Sequence, residues 1–195
     1  MKLQVGILLF DQVEVLDFAG PFEVFSLATS LEDIKLFEVN TISQTGRIVQ
    51  AKNGLEILPA RAFGDDKHFD ILIIPGGYGA EEIEIKNSEV LSWIKMQKKR
   101  VNILASVCTG ALLLAECGLL DNKKATTHWM DINRLQNEYP KIKVIRGVKF
   151  VDEEDIITSG GISAGINMSF HIIKRLFGED IAKLTAKRME YDIII

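Results

Sequence analysis

Cys108 is the residue whose position in the sequence most clearly allows chemistry. It follows the apolar run 103–107 and precedes TGALLLAECG, a helix-forming segment that ends at Gly118. A residue between a strand and a helix can be held exposed in a sharp, strained turn, the geometry of a nucleophile elbow. The N-terminus of the following helix favours an anion, so we expect it to favour the reactive thiolate. On position alone, a nucleophile and a small buried core residue are equally good interpretations of Cys108.

Three acidic side chains, Asp11, Glu14 and Asp17, follow the first apolar run within seven residues. Asp17 directly precedes a predicted helix start at 18–21, and spacing alone favours its interpretation as a helix N-cap. The alternative is a carboxyl group close to the thiol that passes protons to and from a substrate. Because a carboxylate and a thiolate repel each other, one member of such a pair should keep a proton.

Two glycine pairs follow predicted strands. Gly76 and Gly77 follow the strand in IIPGG, and Gly160 and Gly161 follow the last strand in SGGISAG. A tight turn accounts for most such dipeptides. The functional alternative is a backbone N–H group offered to developing negative charge, which a side chain at that position would obstruct.

The three histidines do not have the spacing of metal ligands, so we expect no metal site. His68 lies in the polar loop DDKHFD and is interpreted as solvated, and His171 lies within a predicted helix and is interpreted as structural. His128, in TTHW, could line a pocket, although capping or packing is the favoured interpretation. Cys117 lies among apolar neighbours and is interpreted as a core residue.

Composition excludes several classes of protein. The formal net charge of -4 provides no general basic field, so duplex DNA is not an expected partner. No apolar stretch reaches the roughly 18 residues of a membrane helix. The start MKLQVGILLF is predicted to be a buried strand, not a signal peptide, because Gln4 interrupts it and no cleavage site follows. We expect a soluble, cytoplasmic protein.

The two cysteines are expected to be free thiols. If Cys108 and Cys117 share a helix, their nine-residue offset separates them by about 13 Å, which is too far for a disulfide. Free thiols are typical of a reducing compartment.

Short apolar runs alternate with helical patterns, which is typical of a mostly parallel sheet with helices on both faces. We predict one α/β domain over residues 1–195, with its functional groups at the carboxyl ends of the strands. The predicted strands span residues 3–10, 34–43, 70–75, 101–107 and 155–159.

The helical patterns have recognisable ends. The segment 21–30 is predicted to be a helix with Pro21 in its first turn. Residues 87–100 are predicted to direct Val90, Leu91, Ile94 and Met96 toward the core. A third helix spans 163–177 and ends at Gly178. The dipeptide Asn53–Gly54 predicts a hairpin turn within 47–58.

Five motifs, in this order, resemble the ThiJ/PfpI superfamily within the class I glutamine amidotransferase-like fold. The closest branch is isocyanide hydratase, together with the sensor domains of AraC-type transcription regulators. Each motif alone is weak, but together they cover nearly the whole chain. They are LDFAGPFEVF (16–25), IIPGG (73–77), SVCTGALLLAECGLL (106–120), ATTHW (125–129) and ITSGGISAGIN (157–167).

The resemblance implies a flavodoxin-like three-layer sandwich, usually dimeric, with Cys108 as the elbow nucleophile. Asp17 falls where the hydratase branch keeps its acid. Thr109, which follows the cysteine as in that branch, is implied to be a third catalytic residue that orients the reacting groups. No metal or organic cofactor is implied. The remaining implied site residues are the backbone donors Gly76 and Gly77, His128 near the cysteine in some relatives, and the pocket-bordering loop of Gly160, Gly161 and Ile162.

The sequence differs from two branches of the superfamily, and each difference argues against the function of that branch. The protease-like branch has a histidine directly after the cysteine, where this chain has Thr109, which argues against peptidase activity. The regulators append a helix-turn-helix region, for which we expect no room after the last residues, MEYDIII.

The leading hypothesis is therefore hydration of a small electrophile, an isocyanide, by Cys108 with Asp17 as the proton donor. A second hypothesis is a redox or ligand sensor in which Cys108 is oxidised to a sulfinic acid or lines a binding pocket. A third is a glyoxalase- or deglycase-like hydrolase of small carbonyl compounds, as other branches of the superfamily suggest.

Overall fold

The computed structural model describes residues 2–193, which build a seven-stranded sheet with helices packed against it. The strands are ordered β10-β11-β7-β6-β1-β2-β5, and every pairing is parallel except that of β10 with β11. The strands are β1 (Leu3–Leu8), β2 (Phe37–Ser43), β3 (Val49–Gln50), β4 (Glu56–Ile57), β5 (Arg61–Ala62), β6 (Ile71–Ile74), β7 (Ile103–Ser106), β8 (Lys124–Ala125), β9 (Lys143–Val144), β10 (Phe150–Asp152) and β11 (Ile156–Ser159).

Two groups of helices cover the sheet. One group consists of α1, α5 and α6, which contact one another, and the other contains α2 and α3. Every residue of β6, β7 and β11 is buried, as expected for strands covered on both faces. The helices are α1 (Val15–Leu27), α2 (Ser88–Lys98), α3 (Gly110–Glu116), α4 (Ile132–Glu138), α5 (Ala164–Phe177) and α6 (Glu179–Arg188).

The predicted fold class, a mostly parallel α/β sandwich, is confirmed, and each of the five predicted strands is present with shorter ends. The hairpin predicted at Asn53–Gly54 is also confirmed: β3 and β4 pair antiparallel, and both turn residues have positive φ angles, 63° and 83°. Gly178, with φ 91°, ends α5 as predicted. These features follow from local sequence patterns, and packing in the core does not change them.

The predicted start of the first helix is wrong. Helix α1 begins at Val15, so Pro21 lies in its interior and provides no N–H for the carbonyl group of Asp17. Asp17 lies in the first turn, not at the N-cap, which is Glu14. A Gly-Pro dipeptide is typical of a helix start, but here burial of Phe18 stabilises an additional helical turn before it.

The core-facing side of α2 also differs from the prediction. Val90 and Ile94 are buried as predicted, but Met96 is 45% exposed. Trp93 is buried instead and stacks on the ring of Phe63, with ring centroids 4.1 Å apart. Trp93 is buried because it stacks on an aromatic ring outside α2, and the helical pattern alone does not reveal that partner.

Within residues 2–193 no helix has both the length and the apolar character needed to cross a membrane. Cys108 and Cys117 are both free, as predicted. Residues 1, 194 and 195 of the predicted 1–195 domain lie outside the described residues.

Candidate active site

Cys108 lies in a strained turn between β7 and α3. Its φ angle is 56°, a left-handed conformation that costs a non-glycine residue about 1–3 kcal/mol. The N–H of Cys108 donates to the carbonyl of Gly160 (3.1 Å), and Thr127 Oγ1 donates to the carbonyl of Cys108 (2.8 Å). A Cβ atom on Gly110 would lie 2.2 Å from the carbonyl oxygen of Ile74, so only glycine lets the elbow approach β6.

The elbow was predicted to be strained and exposed, and only the strain is observed, since Cys108 is 6% exposed. Burial raises the pKa of the Cys108 thiol well above its usual range, and the nearby charge of Asp17 raises it further. The backbone N–H groups of Thr109 and Ile162 act in the opposite direction. The expectation that the helix terminus makes the resting thiolate favourable is therefore wrong, because desolvation outweighs the N–H groups.

Asp17 is fully buried and faces the elbow from α1. Its Oδ2 accepts a hydrogen bond from the N–H of Gly76 (3.0 Å), whereas its Oδ1 is buried with no hydrogen-bond partner among the described residues. Burial raises the pKa of Asp17 to about 7, and the charge of Glu14 adds to this, while Gly76, the Cys108 thiol and the Ile162 N–H lower it. The Asp17–Cys108 pair therefore retains protons to unusually high pH.

The N–H groups of Gly76 and Gly77 were predicted to face developing charge on the substrate, but both are engaged inside the protein. Gly76 donates to Asp17, and Gly77 donates to Oγ1 of Thr109 at 2.9 Å. The N–H groups directed at the sulfur are instead those of Thr109 and Ile162. The glycine loop thus orients the acid, and the donors near the thiol come from two other turns.

Thr109 is a positioning residue for the Gly77 turn. Its hydroxyl is buried, accepts the N–H of Gly77 and lies 3.4 Å from the Gly77 carbonyl. Thr109→Val should lower the free energy of unfolding by about 1–3 kcal/mol, because it leaves the buried N–H of Gly77 unpaired. Urea denaturation measures this, with Thr109→Ser, which retains the hydroxyl, as the control. Equal stability of the valine and serine variants would contradict this role.

Thr127 was not predicted as a site residue, yet its hydroxyl holds the carbonyl of the strained Cys108. The sequence signal was the pair of threonines in ATTHW, which only the fold brings to the elbow. Thr127→Val should cost about 1–2 kcal/mol of unfolding free energy and change the rate at which iodoacetamide alkylates Cys108. Thr127→Ser should do neither. An unchanged alkylation rate in the valine variant would show that this hydrogen bond does not position the thiol.

The predicted loop 160–162 and His128 meet at the elbow. A Cβ atom on Gly161 would lie 1.9 Å from Cδ2 of His128, so the imidazole packs directly on this glycine. Nδ1 of His128 lies 3.6 Å from Asp131 Oδ2. Ile162 has a φ angle of 52°, a rare conformation for a β-branched residue that aims its N–H at the Asp17–Cys108 pair.

The other two histidines lie elsewhere. His68 is largely exposed in a loop, and Nε2 of His171 on α5 pairs with Oδ2 of Asp152 on β10 at 2.7 Å. The described residues contain no group of three or more His, Cys, Asp or Glu side chains that could hold a metal ion.

Lys52 is a second residue near the site that the sequence did not reveal. The β3–β4 hairpin places it by a hydrogen bond from its N–H to the carbonyl of Val13 (3.0 Å) and an ion pair of its Nζ with Glu14 (2.7 Å). Glu14 raises the pKa of Lys52, and the charges of Cys108 and Asp17 contribute in the same direction. Lys52 is thus a cation near the Asp17–Cys108 pair.

A strained cysteine elbow with a buried acid beside it, on this α/β sandwich, defines a known class of protein. The chain belongs to the DJ-1/PfpI family, whose model matches residues 3–175. It is 34% identical over 194 residues to the isonitrile hydratase of Pseudomonas putida, covering 98% of this chain and 79% of that protein.

The chain is also similar to a transcriptional regulator and to a protein of known structure. The HTH-type transcriptional regulator GbdR of Pseudomonas aeruginosa is 28% identical over 190 residues, which is 97% of this chain but 51% of the regulator. The chain therefore spans about half the length of this relative. The crystal structure of a ThiJ/PfpI family protein from Pseudomonas syringae has a TM-score of 0.88 and 25% identity, covering 100% of this chain and 77% of that one.

Proposed function

We propose that this protein adds water to an isocyanide, R–NC, and releases an N-substituted formamide. The observation that carries the proposal is the buried Asp17–Cys108 pair, in which a carboxyl group with one unpaired oxygen lies beside a thiol on a strained elbow. Such a pair suits a reaction that needs a nucleophile and a proton at the same carbon atom. The 34% identity to an isonitrile hydratase, isonitrile being another word for isocyanide, supports this choice.

The proposed reaction begins when ionised Asp17 accepts the thiol proton as the sulfur of Cys108 bonds to the terminal isocyanide carbon. Asp17 then returns that proton to the same carbon, which gives the thioimidate R–N=CH–S–Cys108. Water adds across the C=N bond, placing its oxygen on carbon and one proton on nitrogen. The C–S bond then breaks, the sulfur recovers the second proton, and R–NH–CHO leaves. One water is consumed for each isocyanide.

The raised pKa of the Cys108 thiol fits this order of events. A resting thiol is protected from oxidation and becomes nucleophilic only as Asp17 accepts its proton. The N–H groups of Thr109 and Ile162, which favour the charged sulfur, stabilise the thiolate as it forms and as it leaves. Because Thr109, and not a histidine, follows Cys108, the proposal assigns proton transfer to Asp17.

A substrate panel tests the proposal directly. Purified protein is incubated with alkyl and aryl isocyanides and, separately, with methylglyoxal, and formamide and remaining substrate are quantified by mass spectrometry. We expect formamide from at least one isocyanide and no loss of methylglyoxal. Consumption of methylglyoxal alone would overturn the proposal in favour of the glyoxalase- or deglycase-like hydrolase. No consumption of either would overturn it as well.

A sensor is the second candidate function, because 97% of this chain matches part of a transcriptional regulator. In this function Cys108 is oxidised to a sulfinic acid that the Asp17 carboxyl group, when protonated, stabilises by a hydrogen bond. Intact-mass analysis after mild peroxide tests it. Gain of two oxygens at Cys108, with Cys117 unchanged and no isocyanide turnover, favours the sensor.

We also propose that two copies form a homodimer through the β3–β4 hairpin. Ile48, Leu55 and Leu58 on and beside it are 58%, 48% and 71% exposed, which is unusual for large apolar side chains so close together in sequence. Sedimentation should give twice the 21.8 kDa chain mass, and Leu58→Glu should give the monomer. Leu31→Glu, at an equally exposed position elsewhere, should stay dimeric. A monomeric wild type would contradict the dimer.

The proposal treats residues 1–195 as one domain working in the cytoplasm. The sheet runs from Leu3 to Ser159, α5 and α6 pack against α1, and both thiols are free. Limited proteolysis should therefore yield no stable half-length fragment. Accumulation of such a fragment would indicate two domains.

A further inference from the structure

A cavity of about 530 Å³ lies between α5, the start of β10 and the segment 191–193. It is lined by Phe150, Phe170, His171 and Tyr191, together with Lys149 and Lys174, and we call it the α5 pocket. None of the residues that form the Asp17–Cys108 site lines it. Its volume lies within the roughly 300–1,000 Å³ that is typical of small-molecule sites.

Four aromatic side chains line the α5 pocket and form two stacked pairs. The ring of His171 stacks on Phe150, with centroids 4.4 Å apart, and Phe170 stacks on Tyr191 at 5.8 Å. The His171 ring is fixed by Asp152, whose charge is also bound by Arg175 at 2.8 Å. Aromatic side chains that are already held by stacking offer a planar guest apolar contact at a small cost in conformational entropy.

The charges that line the α5 pocket are mostly positive. Lys149 has no ion pair among the described residues, and Lys174 pairs with Glu179, which does not itself line the pocket. Asp192 is the one carboxylate among the lining residues. The ammonium group of Lys149, together with that of Lys174, which is shared with Glu179, favours a guest that carries a negative charge.

We propose that the α5 pocket binds a planar aromatic anion, such as a ring-bearing carboxylate or sulfonate, independently of the chemistry at Cys108. The ring lies against the stacked aromatic side chains and the anionic group meets the ammonium groups of Lys149 and Lys174. The histidine that the sequence indicated to be structural thereby forms part of a ligand site.

Two fluorescent probes that differ only in charge test the proposal. 1-Anilinonaphthalene-8-sulfonate carries the required anion, and N-phenyl-1-naphthylamine is the same molecule without the sulfonate. We expect the sulfonate to bind the wild-type protein at least about fivefold more tightly, which corresponds to about 1 kcal/mol. Equal affinity for the two probes would overturn the anion requirement.

Single substitutions locate the probe. Lys149→Ala should weaken sulfonate binding about fivefold, and Asp192→Asn should strengthen it about twofold to fivefold, since the first removes a favourable charge and the second a repulsive one. Asn167→Trp fills the pocket, which Asn167 also lines, and should abolish binding. Lys99→Ala, which removes an exposed lysine directly after α2, should have no effect.

The remaining outcomes are equally decisive. If the three pocket variants bind the sulfonate like the wild type, the probe lies elsewhere and the proposal is wrong. If Asn167→Trp changes the sedimentation mass and Lys149→Ala does not change binding, a second copy of the chain covers the pocket, which also overturns the proposal. Cys108→Ala should bind the probe normally, so failure of the isocyanide assay does not affect this result.

Discussion

Cys108→Ala is expected to lower isocyanide turnover by about a thousandfold or more, because the variant has no atom that can form the C–S bond of the thioimidate. The fold should tolerate the change, since alanine lacks only the sulfur and forms the same backbone hydrogen bonds to Gly160 and Thr127. The measurement is formamide production at saturating isocyanide, with circular dichroism to confirm folding.

The matched control is Cys117→Ala. Cys117 is also a buried free thiol, but its Sγ donates to the carbonyl of Leu91 at 3.4 Å, at the far end of α3. This variant should retain wild-type turnover. If Cys108→Ala and Cys117→Ala have the same turnover as the wild type, covalent catalysis by Cys108 is excluded.

Asp17→Asn is expected to lower turnover about a hundredfold or more, because asparagine has the shape of the acid but cannot carry the proton from sulfur to carbon. The same variant should change how stability depends on pH. Burial raises the pKa of Asp17 to about 7, whereas the unfolded chain has a value near 3.9. The folded protein therefore binds the Asp17 proton more tightly than the unfolded chain does. The resulting contribution to the free energy of unfolding is present at low pH and is lost as pH rises toward 7.

The size of this effect follows from the difference in pKa. Relative to Asp17→Asn, the wild type should lose about 2–3 kcal/mol of unfolding free energy between pH 5 and pH 8. Urea denaturation at both pH values measures it. Glu23→Gln, which removes an exposed carboxyl on the same helix, should follow the wild type. If Asp17→Asn also follows the wild type, Asp17 does not titrate as a buried acid.

The sequence was sufficient for the central strands and for the elbow. β6 and β7 are apolar at nearly every position because both faces are covered, and Cys108 lies two residues after the end of β7. The edge strands could not be predicted in the same way. β5, β8 and β9 have two residues each, too few to show any periodicity, and their pairing depends on neighbours distant in sequence.

The site could be predicted only in part, since its electrostatics depend on tertiary contacts. Spacing favoured Asp17 as a helix cap, and only the packing of α1 against the Gly76 turn reveals a fully buried acid. The helix terminus after Cys108 predicted a stabilised thiolate, but desolvation is larger and raises the thiol pKa. Thr127 reaches the elbow from 19 residues away, which no local pattern encodes.

The central claim is that Cys108 bonds covalently to the isocyanide, and rapid-quench intact-mass analysis tests it most directly. Wild-type protein is mixed with excess isocyanide, quenched in acid during the first turnover, and mapped by peptide digestion. We predict a transient mass increase equal to one isocyanide on the peptide that contains Cys108, and none in Cys108→Ala. Formamide production at the wild-type rate by Cys108→Ala, with no adduct in either protein, would contradict the account.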